Sequence, residues 1–183
     1  MAKSEAKRRA LKCIKTFAGK LGDKKVVAEG KNGFFYHFLD MQTAKCAGQT
    51  EVSSVDTALL LCGVMTAGEY FGGEVKKTAD QLYAQVEWDK FYNDSIDMFH
   101  MAWTPKEGFL SKWDVYTDEI ILVALLGIGS PTFPVNEKAF YSWKRKVDSY
   151  KYGPSYICSW QGSLFTYQYA HAWFDFKGKH DRE

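Results

Sequence analysis

The stretch Trp113 to Pro131, WDVYTDEIILVALLGIGSP, sets two carboxylates, Asp118 and Glu119, directly before a run that is apolar on every side. A surface helix keeps one polar face, so this run reads as a helix buried all round. Acid groups at its mouth are either start-of-helix carboxylates that complement the dipole or reactive groups held at the edge of a cleft. The helix start favours an ionised carboxylate, whereas a general acid needs a dry, apolar neighbourhood that raises its pKa. The sequence leaves both effects in play. Trp113, Asp114 and Tyr116 stand within two turns before Glu119. Upstream, Ser53 followed three residues later by Asp56 fits a helix-capping pattern, which gives Asp56 a structural duty, while Glu51 has none of that kind. Gln168 and His171, in YQYAHAW, are three apart and share a face if that segment is helical. His37 and Tyr36, in YHFLD, suit a core and a cleft equally.

Other chemistries find little support. Cys13, Cys46, Cys62 and Cys158 are scattered without a CxxC pair and read as buried free thiols, neither a zinc site nor a disulfide scaffold. His37, His100, His171 and His180 have no HExxH spacing, so no metal is expected. With 24 basic and 22 acidic residues the chain lacks the dense basic stripe of a nucleic-acid binder. Lys3, Lys7, Arg8, Arg9, Lys12 and Lys15 alternate with apolar positions and form a solvated helix face. The N-terminus is polar and charged and shows no apolar signal-peptide segment, and no apolar run reaches membrane-spanning length. Aromatics, at 16%, are the unusual component. They suit a core, an interface or a carbohydrate cleft.

These residues must be positioned by one domain, since 183 residues are enough for one core but not comfortably for two. Leu11, Ile14, Phe17, Ala18 and Leu21 give an amphipathic helix over Ser4–Leu21, ended by Gly22 and Asp23. Gly33–Met41 is a strand or an extended aromatic segment. A helix follows from the Ser53/Asp56 cap to Gly72–Gly73, and a second amphipathic one covers Glu74–Val86. The stretch Glu87–Trp113 lacks a helical period and predicts a short hairpin with its turn at Thr104–Gly108. Beyond the buried helix, stopped by Gly129-Ser130-Pro131, the spacing predicts a helix over Asn136–Val147. Tyr150–Ser163 reads as irregular, and SLFTYQYAHAWFDFKG as a last, largely buried helix.

Five segments in this order, FFYHFLDMQT, TEVSSVDTALLL, AWTPKEGF, DEIILVALLGIGSPT and LFTYQYAHAWFDFKGKHD, closely resemble the bacterial glucoamylase-like domain. That family includes endo-β-1,2-glucanases and the related domain of cyclic β-1,2-glucan synthases. The resemblance runs from SEAKRRALKCIKTF to the last residues. It implies an all-α fold, part of an (α/α) toroid of six helix pairs with a short β-hairpin inserted. Twelve helices with their connections demand roughly 200 residues or more. Residues 1–183 are therefore expected to be a partial catalytic domain lacking N-terminal helices and the C-terminal half, and an internal fragment of a longer protein.

The resemblance also implies roles. Glu119 matches a family glutamate and is expected to be the general acid. Glu51 matches another and is expected to bind substrate near the cleaved bond, joined by Asp56, Trp113, Tyr116, Gln168 and His171. Sugars offer flat C–H faces to aromatic rings and hydroxyls to forked carboxylate acceptors. The partner acid that hydrolysis needs lies, in the family, in the C-terminal half. The implied activity is hydrolysis of a glucan, most specifically endo-β-1,2-glucanase, on an oligosaccharide or polysaccharide partner and without a metal or organic cofactor. The alternatives are a non-catalytic carbohydrate-binding remnant and the glucan-processing domain of a cyclic β-1,2-glucan synthase. Family hydrolases are often exported, which leaves the compartment open. Half a toroid would expose Ile120–Leu126 and Leu164–Trp173 and drive self-association.

Overall fold

The computed structural model describes residues 1–21 and 26–181, so the expected helix stop at Gly22 and Asp23 lies outside the described residues. Helix α1 spans Lys3–Phe17 and ends four residues before Leu21, where Gly19 turns into the left-handed region. Strands β1 (Gly30–Lys31) and β2 (Phe34–Phe35) form a small antiparallel pair, and β3 (Val52–Ser53) leads into α2 (Ser54–Phe71). Ser53 caps α2 by accepting the Asp56 N–H, as the sequence spacing demands. Helix α3 (Glu74–Ala84) and the short α4 (Trp88–Phe91) are followed by β4 (Tyr92–Asn93), β5 (Met98–Thr104) and β6 (Gly108–Lys112). Helix α5 covers Asp118–Ile128, and β7 (Val147–Ser149) and β8 (Ser155–Ile157) close a last hairpin.

The architecture is mixed α/β, and the expected all-α toroid is overturned: five α-helices stand beside three small sheets among the described residues. The hairpin around Thr104–Gly108 is not an insertion in a helical ring. Its strand β5 pairs with β3, β4 and β6 together, all antiparallel, and so organises the sheet. Phe99 and Ala102 are both buried and, three residues apart, lie on opposite faces of β5, so the strand is covered on both sides at these points.

Helix α2 packs on α3 and α5, and α1 packs on α3. Gly68 lets α2 and α3 come close, since a Cβ there would sit 3.1 Å from that of Ala79. Helix α5 is buried as its sequence demands: Ile120, Leu122, Val123 and Leu126 are all under 5% exposed. Burial of each such side chain stabilises the fold by about 1.5–3 kcal/mol. The Tyr83 hydroxyl donates to the Leu126 carbonyl and locks α3 to α5. The expected exposure of Ile120–Leu126 is therefore wrong, because α2 and the later 3-10 turns pack on that helix, with Tyr83 and Phe99 reaching its end. Leu164, Phe165 and Trp173, in contrast, are exposed. Among the described residues no helix is long and apolar enough to cross a membrane.

Two further expectations fail at the C-terminal end. Asn136–Val147 is not a helix but a single 3-10 turn, Glu137–Phe140, capped by Asn136. Beyond it the Lys144 N–H donates to the Asp114 carbonyl and the Tyr116 N–H to the Lys144 carbonyl, so strand-like pairing wins over helix. The last segment is also not a helix: it forms 3-10 turns at Leu164–Tyr167 and Ala170–Ala172 and is mostly exposed. Its aromatic residues lose rotamer freedom in a helix. The Ala170 N–H, which a helix would use internally, donates to the Asp118 carboxylate instead.

Candidate functional site

The starts of α2 and α5 come together beside β5 and β6 and shape one cleft of about 380 Å³. The register of β3 on β5, with Val52 opposite Trp103 and Ser53 opposite Ala102, sets Glu51 and the first turn of α2 against the hairpin. Glu119 enters from the first turn of α5. The lining includes Glu51, Asp56 and Glu119, the aromatic rings of Trp113 and Trp160, and His37.

Each of these groups is held. The His37 Nδ1 lies 3.0 Å from Glu51 Oε1, and its Nε2 lies 3.7 Å from Asp56 Oδ1. The His37 N–H donates to the Glu51 carbonyl, which fixes the two backbones together. Asp56 accepts from the Ser53 hydroxyl through Oδ2 and so keeps its capping duty, while Oδ1 faces the imidazole. A residue can therefore serve the cap and the cleft at once.

Asp118 and Glu119, adjacent in sequence, take separate roles. Asp118 is fully buried; its Oδ1 accepts from the Tyr116 hydroxyl at 2.9 Å and its Oδ2 from the Ala170 N–H at 3.0 Å. It pins the C-terminal segment to α5. Glu119 is half-buried, and its Oε2 accepts from the Thr117 hydroxyl at 3.1 Å. Burial holds the Glu119 carboxyl above the ordinary carboxylate value of 4.5; the Thr117 hydrogen bond opposes this and the neighbouring Asp56 charge reinforces it. Desolvation outweighs the Thr117 hydrogen bond, and the carboxyl keeps its proton more firmly than a solvated glutamate.

Trp113 is 5% exposed, and its Nε1–H donates to Ser54 Oγ at 2.9 Å, which in turn donates to the Met101 carbonyl. It forms a wall of the cleft with little open ring face. Ser54→Ala would orphan that buried indole N–H, and a denaturant titration is expected to show a loss of about 1–3 kcal/mol. The open ring belongs to Trp160, 56% exposed on the same cleft and missed by the sequence reading. Its only signal was a Trp two residues before a glycine in the irregular aromatic segment Tyr150–Ser163.

The structure does not bring all the expected site residues together. Tyr116 and His171 line a different cavity, with Asp118, Trp143 and Arg145. The Tyr116 phenol is pushed up beyond its ordinary value by burial and by its hydrogen bond to Asp118. Gln168 ends a 3-10 turn and is exposed, so the expected shared helical face with His171 does not exist. Among the described residues no three His, Cys, Asp or Glu side chains are grouped so as to hold a metal ion.

Comparison with known proteins bears on this geometry. The Glycoamylase family model, described as "Putative glucoamylase", matches residues 111–183. A curated relative from Parabacteroides distasonis, an exo β-1,2-glucooligosaccharide sophorohydrolase acting at the non-reducing end, is 25% identical over 158 residues, covering 76% of this chain and 21% of its own length. A crystal structure of a "putative glucoamylase" from Bacteroides uniformis superposes with a TM-score of 0.83 at 20% identity, over all of this chain and 47% of that one. An endo-β-1,2-glucanase from Chitinophaga pinensis, in complex with sophorotriose and glucose, gives a TM-score of 0.69 at 18% identity over 90% of this chain and 40% of that one. The chain thus spans about a fifth of the curated relative and under half of these two structures. Residues 111–183 thus match the glucoamylase-like (glycoamylase) family model, and the chain as a whole shares its fold with solved "putative glucoamylase" and β-1,2-glucanase structures, in line with the resemblance carried by the five sequence motifs.

Proposed function

We propose that the cleft between α2, α5 and the β5–β6 hairpin binds a β-1,2-linked glucan and that Glu119 protonates the leaving glycosidic oxygen in its hydrolysis. One observation carries this reading: Glu119, Asp56 and Glu51 line a single cleft with the open ring of Trp160. That is the donor set a sugar requires, with forked acceptors for hydroxyls and an aromatic face for C–H groups. Glu119 is suited to the acid role because burial keeps its proton on at higher pH than a solvated glutamate. The β-1,2 linkage follows the named activities of the P. distasonis and C. pinensis relatives.

In this reading Glu51, aligned by His37, and Asp56, aligned by Ser53, accept hydrogen bonds from sugar hydroxyls near the cleaved bond. Trp113 shapes the wall. Tyr116 acts through Asp118, to which it is bonded, by fixing the start of α5. Hydrolysis also requires a second carboxyl across the scissile bond. Asp56 fills that place, or residues beyond this chain do.

Incubating the 183-residue chain with β-1,2-glucan and following new reducing ends separates these cases. Turnover that Asp56→Asn abolishes assigns the second carboxyl to Asp56. Binding by calorimetry without turnover assigns the chain the acid side of a larger site, or the role of a binding module. Absence of both binding and turnover overturns the reading. Trp160→Ala is expected to weaken glucan binding about five-fold, equivalent to about 1 kcal/mol of lost stacking, with an unchanged melt. An unaltered affinity would remove Trp160 from the cleft surface that touches sugar.

A further inference from the structure

A second cavity, of about 630 Å³, adjoins the first. The two share Glu51 and Leu110 in their linings, so they lie on either side of those two residues. Beyond this junction the walls are the loop Cys46–Glu51 on one side and the hairpin turn Thr104–Glu107 on the other, with Tyr36 between β2 and β3. The loop is held by the Asp40 N–H to Lys45 carbonyl and Ala47 N–H to Phe38 carbonyl bonds. The turn is fixed by the Glu107 N–H donating to Thr104 Oγ1 at 3.1 Å, and the hairpin is anchored on β3.

The chemistry of the second cavity differs from that of the first. Gln49, Thr50, Thr104, Lys106 and Glu107 line it with amide, hydroxyl, ammonium and carboxylate groups, beside the apolar carbon of Tyr36, Pro105 and Leu110. Among the described residues Glu51 is engaged through Oε1, by His37, and has no partner for Oε2. A carboxylate with one oxygen aligned and the other open, placed where two cavities meet, can accept hydrogen bonds from the hydroxyls of a chain passing between them. Both cavities lie in the roughly 300–1,000 Å³ range of ligand sites.

We propose that the two cavities form one continuous groove, and that the β5–β6 turn with the Cys46–Glu51 loop is a distal binding site for further sugar units of the same glucan. The inference rests on the cleft reading above and deepens it. The turn sets the length of chain the protein prefers. A ligand confined to the first cavity forgoes the polar contacts made past Glu51, so affinity rises with length until the distal cavity is filled.

Isothermal titration of the 183-residue chain with β-1,2-linked glucose oligomers of two and of five units tests this. The five-unit oligomer is expected to bind about ten-fold more tightly than the two-unit one. In the turn variant Lys106→Ala/Glu107→Ala, which alters two exposed side chains, the ratio of the two affinities is expected to fall toward one. Leu110→Trp, which places bulk at the junction, is expected to do the same. A ratio near one in the native chain, with measurable binding of the short oligomer, overturns the distal site and leaves the cleft reading intact. A ten-fold ratio that survives the turn variant also overturns it, because the gain would then arise elsewhere. Failure of both oligomers to bind overturns the cleft reading and the groove with it.

Discussion

Glu119→Gln is expected to lower glucan hydrolysis about 10²–10⁴-fold in any preparation of this chain, alone or within a longer polypeptide, that shows turnover. The amide keeps the shape and still accepts the Thr117 hydroxyl, but it has no proton to give. Binding of glucan is expected to persist, so the loss falls on kcat. The pH dependence supplies an independent check. Burial raises the folded-state pKa of Glu119 above 4.5, so the folded chain binds this proton more tightly than the unfolded chain. The stability due to the protonated carboxyl is complete below 4.5 and is lost as pH rises through the raised folded value. Gln cannot lose it. Thermal melts are therefore expected to show the Tm of Glu119→Gln gaining on the native chain as pH rises above 4.5, with a constant difference below. Activity is expected to fall over the same upper window as the acid deprotonates. A Tm difference independent of pH would show that Glu119 is not desolvated, and undiminished turnover would remove it from the acid role.

Asp118→Ala is expected to be the most destabilising single change at the site. The carboxylate is fully buried and accepts from two donors, the Tyr116 hydroxyl and the Ala170 N–H. Hydrogen bonds to a charged group contribute about 1.5–3 kcal/mol each, so the loss is expected to be about 3 kcal/mol or more. In a chain of this size that corresponds to roughly 6–12 °C in Tm. Because Ala170 is the anchor point of the C-terminal 3-10 turns, limited proteolysis is expected to cut within residues 163–176 of the variant before the rest of the chain. Asp118→Asn retains an acceptor for one of the two donors and is expected to lose less. An Asp118→Ala chain with native Tm and native proteolysis would show that the pair of bonds does not hold the segment.

The contrast between these neighbours shows where sequence reading ends. That a helix buried all round runs from Asp118 to Ile128 was legible, because its residues are apolar through every turn. So were the Ser53 cap, the glycine stop of α2 and the hairpin turn at Thr104–Gly108, since each depends on a few adjacent residues. Which of Asp118 and Glu119 faces the cleft was not legible. That depends on Ala170 and Tyr116 closing over one carboxylate and leaving the other beside Asp56, and no local pattern encodes a contact made across 52 residues. The same limit explains the two lost helices: Lys144 pairs with the backbone around Tyr116, and Ala170 gives its N–H to Asp118, so long-range partners took the hydrogen bonds a helix needs.

The sequence by itself determined a chain whose five motifs resemble the glucoamylase-like family, with carboxylates and aromatic residues suited to a sugar. Tertiary structure alone decided that the fold is mixed rather than all-α, because β5 gathers three short strands that carry no periodic signal of their own. It also brought Glu51, Asp56, Glu119 and Trp160 to one cleft and sent Tyr116 and His171 to another cavity. The physical reason is range: helix burial and capping are set by residues a few positions apart, whereas a cleft is set by which distant elements share hydrogen bonds and apolar faces.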